Sequence, residues 1–87
     1  MTRINESECE AAGLDPKEVK RIASGLSRYA KQAEKLGICI FGGSGAGSLM
    51  VNDGEPGRLV VADIDGDFDG GNGACQEDEN GLLRGEC

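Results

Sequence analysis

The 87-residue chain contains no histidine and no tryptophan, one tyrosine and two phenylalanines. Without histidine, the usual neutral-pH general base and the commonest metal ligand are both missing, which removes most hydrolytic mechanisms. The scarcity of aromatic residues, together with fifteen glycines, thins out the side chains available for packing. A chain of this length is at most one domain and buries only about 60% of the surface it exposes when unfolded. The expected core is therefore small, with room for a partner or a second copy of the chain to complete it. No apolar run approaches the ~18 residues that cross a bilayer, and Met1 to Ala12 lacks the apolar stretch of a signal peptide. A soluble, cytoplasmic protein with no membrane partner is expected. Cys9, Cys39, Cys75 and Cys87 show neither CxxC spacing nor the density of a disulfide scaffold, so free thiols are expected.

Basic residues are absent from a long stretch. Between Asp63 and Glu79 there are seven carboxylates and no Lys or Arg. The net charge of −7 divides into −2 over residues 1–14, +3 over 15–36, zero over 37–52 and −8 over 53–87. The molecule is electrically two-ended. Self-repulsion in the acidic part must be relieved by water, a cation or a basic partner.

What is present begins with helix signals. Asn5 followed by Glu8 can cap a short helical turn that stops at Gly13. In Leu14-Asp15-Pro16-Lys17-Glu18-Val19, Asp15 suits the N-cap, Pro16 the first helical position and Glu18 the acid half of a capping box. Leu14 and Val19 occupy the positions of a hydrophobic staple. Val19, Ile22, Ala23, Leu26, Tyr29, Ala30, Ala33 and Leu36 then form one helical stripe. Six of the nine basic residues lie mostly off it, and Gly37 ends it. This predicts a long amphipathic helix over 15–36.

Ile38-Cys39-Ile40-Phe41 reads as a buried strand, Leu49-Met50-Val51 as a second and residues 58–64 as a third. Gly42 to Ser48 is either a loop or a bulged continuation of the first strand. The turn chemistry of 52–57 makes an antiparallel hairpin of the second and third. The expected fold class is α+β: one long amphipathic helix packed on a small antiparallel sheet of about three strands. Beyond Phe68 no periodicity remains, and loop is expected, with a disordered tail over 77–87.

Four local patterns invite chemistry. The run 59–67 ends in Asp63-x-Asp65-Gly66, like the first motif of haloacid-dehalogenase-type phosphatases, but the remaining chain lacks the Lys that covalent phosphoryl chemistry needs for charge neutralisation. Asp65, Asp67 and Asp69 with Gly70 imitate the first half of a calcium loop. Asn72 and Gln76 then break the pattern, leaving three oxygens placed where calcium takes six to eight. Gly42 to Ser48 fails both the P-loop and the dinucleotide spacing, although its backbone N–H groups could hold an anion. Ala11-Ala12-Gly13-Leu14 with Val19 has a helix-turn-helix look, which would turn Lys17, Lys20 and Arg21 toward DNA, although direct nucleic-acid binding works against the acidic balance. None is a catalytic constellation, and a non-enzyme is expected.

Three phrases together resemble a group of small phage and prophage proteins: the capped helix from Leu14-Asp15-Pro16 to Gly37, Phe41-Gly42-Gly43-Ser44-Gly45-Ala46-Gly47-Ser48-Leu49, and Asp65-Gly66-Asp67-Phe68-Asp69-Gly70-Gly71. The resemblance spans roughly residues 10 to 74. It implies an inhibitor acting in the host-cell cytoplasm on a defence complex, in the manner of anti-CRISPR proteins that occupy nucleic-acid sites. Combined with the charge layout, it makes Asp63, Asp65, Asp67, Asp69, Glu77, Asp78 and Glu79 the candidate partner-binding residues, facing a basic groove of a host protein. The alternatives are a calcium module built on Asp65, Asp67 and Asp69, and a DNA-binding helix.

Overall fold

A computed structural model of the chain describes residues 3–43, 45–70 and 74–85. Ser44, Gly71, Asn72 and Cys87, which figure in the motifs above, lie outside the described residues. The element order is α1 (Glu6–Ala11), α2 (Pro16–Lys35), β1 (Ile38–Gly43), β2 (Ala46–Val51), β3 (Leu59–Ile64), β4 (Cys75–Glu77) and β5 (Leu83–Gly85). The chain forms two compact units, Met1–Arg28 with Asn72–Cys87, and Tyr29–Gly71.

In the first unit, α1 ends in a Schellman motif: Leu14 N–H donates to Cys9 C=O at 2.9 Å and Gly13 N–H to Glu10 C=O at 3.1 Å. Gly13 takes the left-handed φ of 74° that this motif requires. The capping box expected from Asn5 and Glu8 does not form. Asn5 Oδ1 instead accepts from Arg3, and Glu8 Oε2 accepts the Leu83 N–H at 2.7 Å, tying α1 to β5. A carboxylate that can satisfy an edge-strand donor gains more there than at the frayed start of a six-residue helix.

Helix α2 starts as its sequence dictates. Asp15 Oδ1 accepts from Lys17 N–H at 2.9 Å, satisfying one of the orphan donors of the first turn. Glu18 does not reach back to complete the box. It faces Arg21 at 2.9 Å in an exposed pair, which contributes at most about 0.5 kcal/mol. At the other end Gly37 N–H donates to Glu34 C=O at 3.0 Å, and Gly37 has a φ of 73°.

The β4–β5 hairpin replaces the loop expected beyond Phe68. It pairs Cys75 with Gly85, Gln76 with Arg84 and Glu77 with Leu83. Three-residue strands rich in polar side chains carry no readable alternation, so what specifies them is the turn. Asp78 C=O accepts from Gly81 N–H, Asp78 N–H donates to Leu82 C=O, and Gly81 has a φ of 77°. This is a three-residue hairpin loop closed by a glycine in the left-handed region.

The second unit holds a three-stranded antiparallel sheet in the order β1-β2-β3. The Gly42–Ser48 run belongs to a hairpin: Gly42 pairs with Gly47 and Gly43 with Ala46 around a two-residue connection. Gly42, Gly43, Ala46, Gly47 and Ser48 belong to paired strands, so the reading of the run as an anion-holding loop is corrected for these residues. Between β2 and β3 the turn is built from Asx bonds, Gly54 N–H to Asn52 Oδ1 at 2.9 Å and Glu55 N–H to Asp53 Oδ1 at 3.1 Å. A register shift between Leu49 and Met50 leaves Val61 as the extra residue of a bulge.

The α+β class is thus present, with a short first helix and a second, two-stranded sheet added. The apolar stripe of α2 is not buried as expected: Ile22, Leu26 and Leu36 are 53%, 66% and 74% exposed. Among the described residues the elements that pack closely are paired strands, and no strand lies against α2 closely enough to cover the stripe. Among the described residues, only Cys9 and Ala33 are buried apolar side chains.

Candidate protein-interaction surface

The acidic segment is positioned by its apolar residues. Residues paired across the sheet share a face, so Gly42, Gly47 and Ile64 lie on one side and Phe41, Ser48 and Asp63 on the other. The Phe68 ring comes back onto the first of these faces. A Cβ at Gly47 would stand 2.7 and 2.8 Å from Cε2 and Cζ of Phe68 and 2.5 Å from Cγ1 of Ile64. A Cβ at Gly42 would meet Phe68 Cβ at 3.2 Å, and one at Gly66 would meet Phe68 Cε2 at the same distance. The paired glycines clear a seat that the aromatic ring fills, which is how an aromatic side chain compensates for glycine in a strand.

The two motifs singled out separately in the sequence are therefore the halves of one packing arrangement. Phe68 is half-buried, while Asp63, Asp65, Asp67 and Asp69 around it are exposed. Among the described residues, no hydrogen bond or ion pair holds the side chains of Asp63, Asp65 and Asp67. The anchored ring keeps the segment against the sheet, and the carboxylates beside it are exposed.

The remaining acidic candidates belong to the other unit. Glu77 and Glu79 are exposed. Asp78 is spent within its own hairpin: Oδ1 accepts from Asn80 N–H at 2.9 Å and Leu82 N–H at 3.0 Å, and Oδ2 accepts from Arg84 Nε at 2.5 Å. The Arg84 hydrogen bond, and after it that from Leu82, holds the Asp78 carboxyl below its usual value of 3.8. Asp78 is consequently a turn-forming residue, with little of its carboxylate left for a partner. Its role had a signal in the sequence, the Asp-x-Asn-Gly spacing of 78–81 followed by Arg84.

Asp65, Asp67 and Asp69 are not gathered into a cage. Among the described residues no three carboxylates or thiols converge on a point that could hold a metal ion. The segment bends at Gly66, which has a φ of 138°, and Phe68 turns back onto Gly42 and Gly47 of the sheet. Cys9, Cys39 and Cys75 are free thiols, with Arg58 Nη1 donating to Cys39 Sγ at 3.2 Å. A hollow of about 400 Å³ in the first unit is lined by Glu8, Arg84 and the apolar parts of Ala11, Ala12, Leu82 and Leu83. Both of its charged groups are already committed, Glu8 to Leu83 and Arg84 to Asp78. Among the described residues, no helix is long and apolar enough to cross a membrane.

No protein-family model matches the chain, and no curated protein or solved structure does so either.

Proposed function

We propose that the protein is a non-enzymatic interaction module that binds a host protein through the acidic segment 63–69, covering a basic surface where that protein otherwise holds nucleic acid. The observation that carries this reading is the anchored display of Asp63, Asp65, Asp67 and Asp69. A fixed row of carboxylates at alternate positions, with no basic residue from Asp63 to Glu79, offers a ready-made negative edge. Its ordering by Phe68 lowers the entropy lost on docking. Its potential steers a positively charged partner and makes association depend on salt. The resemblance to small phage proteins supports a defence complex as the target, with inhibition as the consequence of occupying its nucleic-acid groove.

The test begins with capture from host extract and continues with the purified partner. Binding should weaken steeply between about 50 and about 200 mM salt, and nucleic acid should compete for the site. A partner that binds nucleic acid and this protein simultaneously would refute the proposal.

A further inference from the structure

The apolar side chains of α2, with Leu36 just beyond it, follow a stricter rule than amphipathicity: Ile22, Leu26, Tyr29 and Leu36 are exposed, Val19 is half-buried and Ala33 is buried. Val19, Ile22, Leu26, Tyr29, Ala33 and Leu36 are separated by alternating steps of three and four, which is the a/d spacing of a coiled-coil seam over two and a half heptads. In that frame the flanking e and g positions of the helix hold Ala23, Ala30, Glu18, Gly25 and Gln32. All six basic residues of 15–36 fall at b, c or f, facing away from the seam. A helix carrying +3 can therefore lie beside a copy of itself without like charges meeting at the contact. From the exposure of Ile22, Leu26, Tyr29 and Leu36 in this seam and the exclusion of basic charge from its borders, we propose that α2 pairs with α2 of a second copy of this chain, antiparallel.

Size complementarity selects the orientation. In the antiparallel register Tyr29 lies beside Leu26 of the second copy, Ala33 beside Ile22 and Leu36 beside Val19, so each layer combines a larger with a smaller side chain. In a parallel pair Tyr29 would face Tyr29 and Ala33 would face Ala33, overfilling one layer and leaving the next empty. Antiparallel pairing also sets the opposed helix dipoles favourably. This inference stands independently of the acidic segment, because every residue that it uses lies on α2 or, in the case of Leu36, directly after it.

Sedimentation equilibrium over a dilution series of the full chain tests it, with the two-copy species at twice the 9.0 kDa mass of one chain expected at high concentration. Leu26→Glu places a charge in the seam and should move the dissociation midpoint upward by about a hundredfold or more. Lys20→Glu, an outward position, should leave it within a few-fold. Orientation is read by lysine cross-linking in a mixture of isotope-labelled and unlabelled chains, where heavy-to-light links between Lys20 and Lys35 are expected. A single-copy mass at every concentration would overturn the pairing. So would a Leu26→Glu chain of unchanged helix content that associates like the parent. Heavy-to-light links joining Lys20 to Lys20 would overturn the antiparallel register. Should Leu26→Glu lose helix content, the mass and cross-links of the unaltered chain decide alone.

Discussion

Gly47→Ala isolates the packing on which the acidic segment depends. The added Cβ would lie 2.5 Å from Ile64 Cγ1 and 2.7 Å from the nearer ring atom of Phe68, where carbon atoms ordinarily rest about 3.5–4.0 Å apart. The ring must move by about 1 Å, and overpacking of this kind costs about 1–3 kcal/mol. Gly47 does not have a positive φ, so alanine also restricts the unfolded chain and returns about 0.4–1 kcal/mol. The net expectation is a destabilisation of about 1–2 kcal/mol. Phe68→Ala alone should cost about 1–2 kcal/mol, less than full burial because the ring is half-exposed. The decisive quantity is the coupling. With Phe68 replaced by alanine, the 2.5 Å approach to Ile64 remains but the ring no longer opposes the new methyl group, and Gly47→Ala should cost about 1 kcal/mol less. Urea unfolding of the four chains in the cycle should yield an interaction energy of about 1 kcal/mol. If Gly47→Ala costs the same in both backgrounds, Phe68 does not occupy the glycine seat.

Other expectations follow from the same geometry. Asp15→Ala removes the bond to the Lys17 amide and should lower stability by about 1 kcal/mol, seen as loss of helical ellipticity on heating at a lower temperature. Because Arg84 holds the Asp78 carboxyl below 3.8, the ionised form stabilises the β4–β5 hairpin. That contribution is complete above the unfolded value and disappears as the pH falls through the lower folded one. Hydrogen exchange at the Leu82 amide, followed through this range, should show protection lost on acidification, and Asp78→Asn should flatten the dependence. Unchanged protection across the range would refute the assignment. Millimolar calcium should leave the melting temperature where it is, since Asp65, Asp67 and Asp69 form no cage, and a clear upward shift would contradict the placement of Phe68.

Much of the architecture was legible because several local signals coincide. Asp15, Pro16 and Gly37 mark the bounds of α2 whatever surrounds it, and the β-branched runs flanked by glycine and by Asn52-Asp53-Gly54 mark the sheet. What escaped was anything requiring two distant segments at once. Gly42 and Gly47 look like a loop until their pairing across β1–β2 is known, and Phe68 looks like an ornament of an acidic turn until those glycines are seen beneath it. Glu8 satisfies a donor 75 residues away instead of its own helix, which no local rule foretells. Composition places Asp78 with the acidic surface because it records charge without the amides that consume it. The apolar stripe on α2 is local and shows in the sequence, whereas its exposure depends on what the rest of the chain packs against it.

The most direct test of the proposed function is the affinity of the Asp65→Asn, Asp67→Asn, Asp69→Asn triple variant for the purified partner. At about 1.5 kcal/mol for each neutralised charge, the loss should be roughly 4.5 kcal/mol, or about 2,000-fold. Phe68 and the glycine seat are untouched, and urea unfolding of the variant beside the parent checks that it is folded. A well-folded triple variant that binds as tightly as the parent would contradict the assignment of the acidic segment as the docking surface.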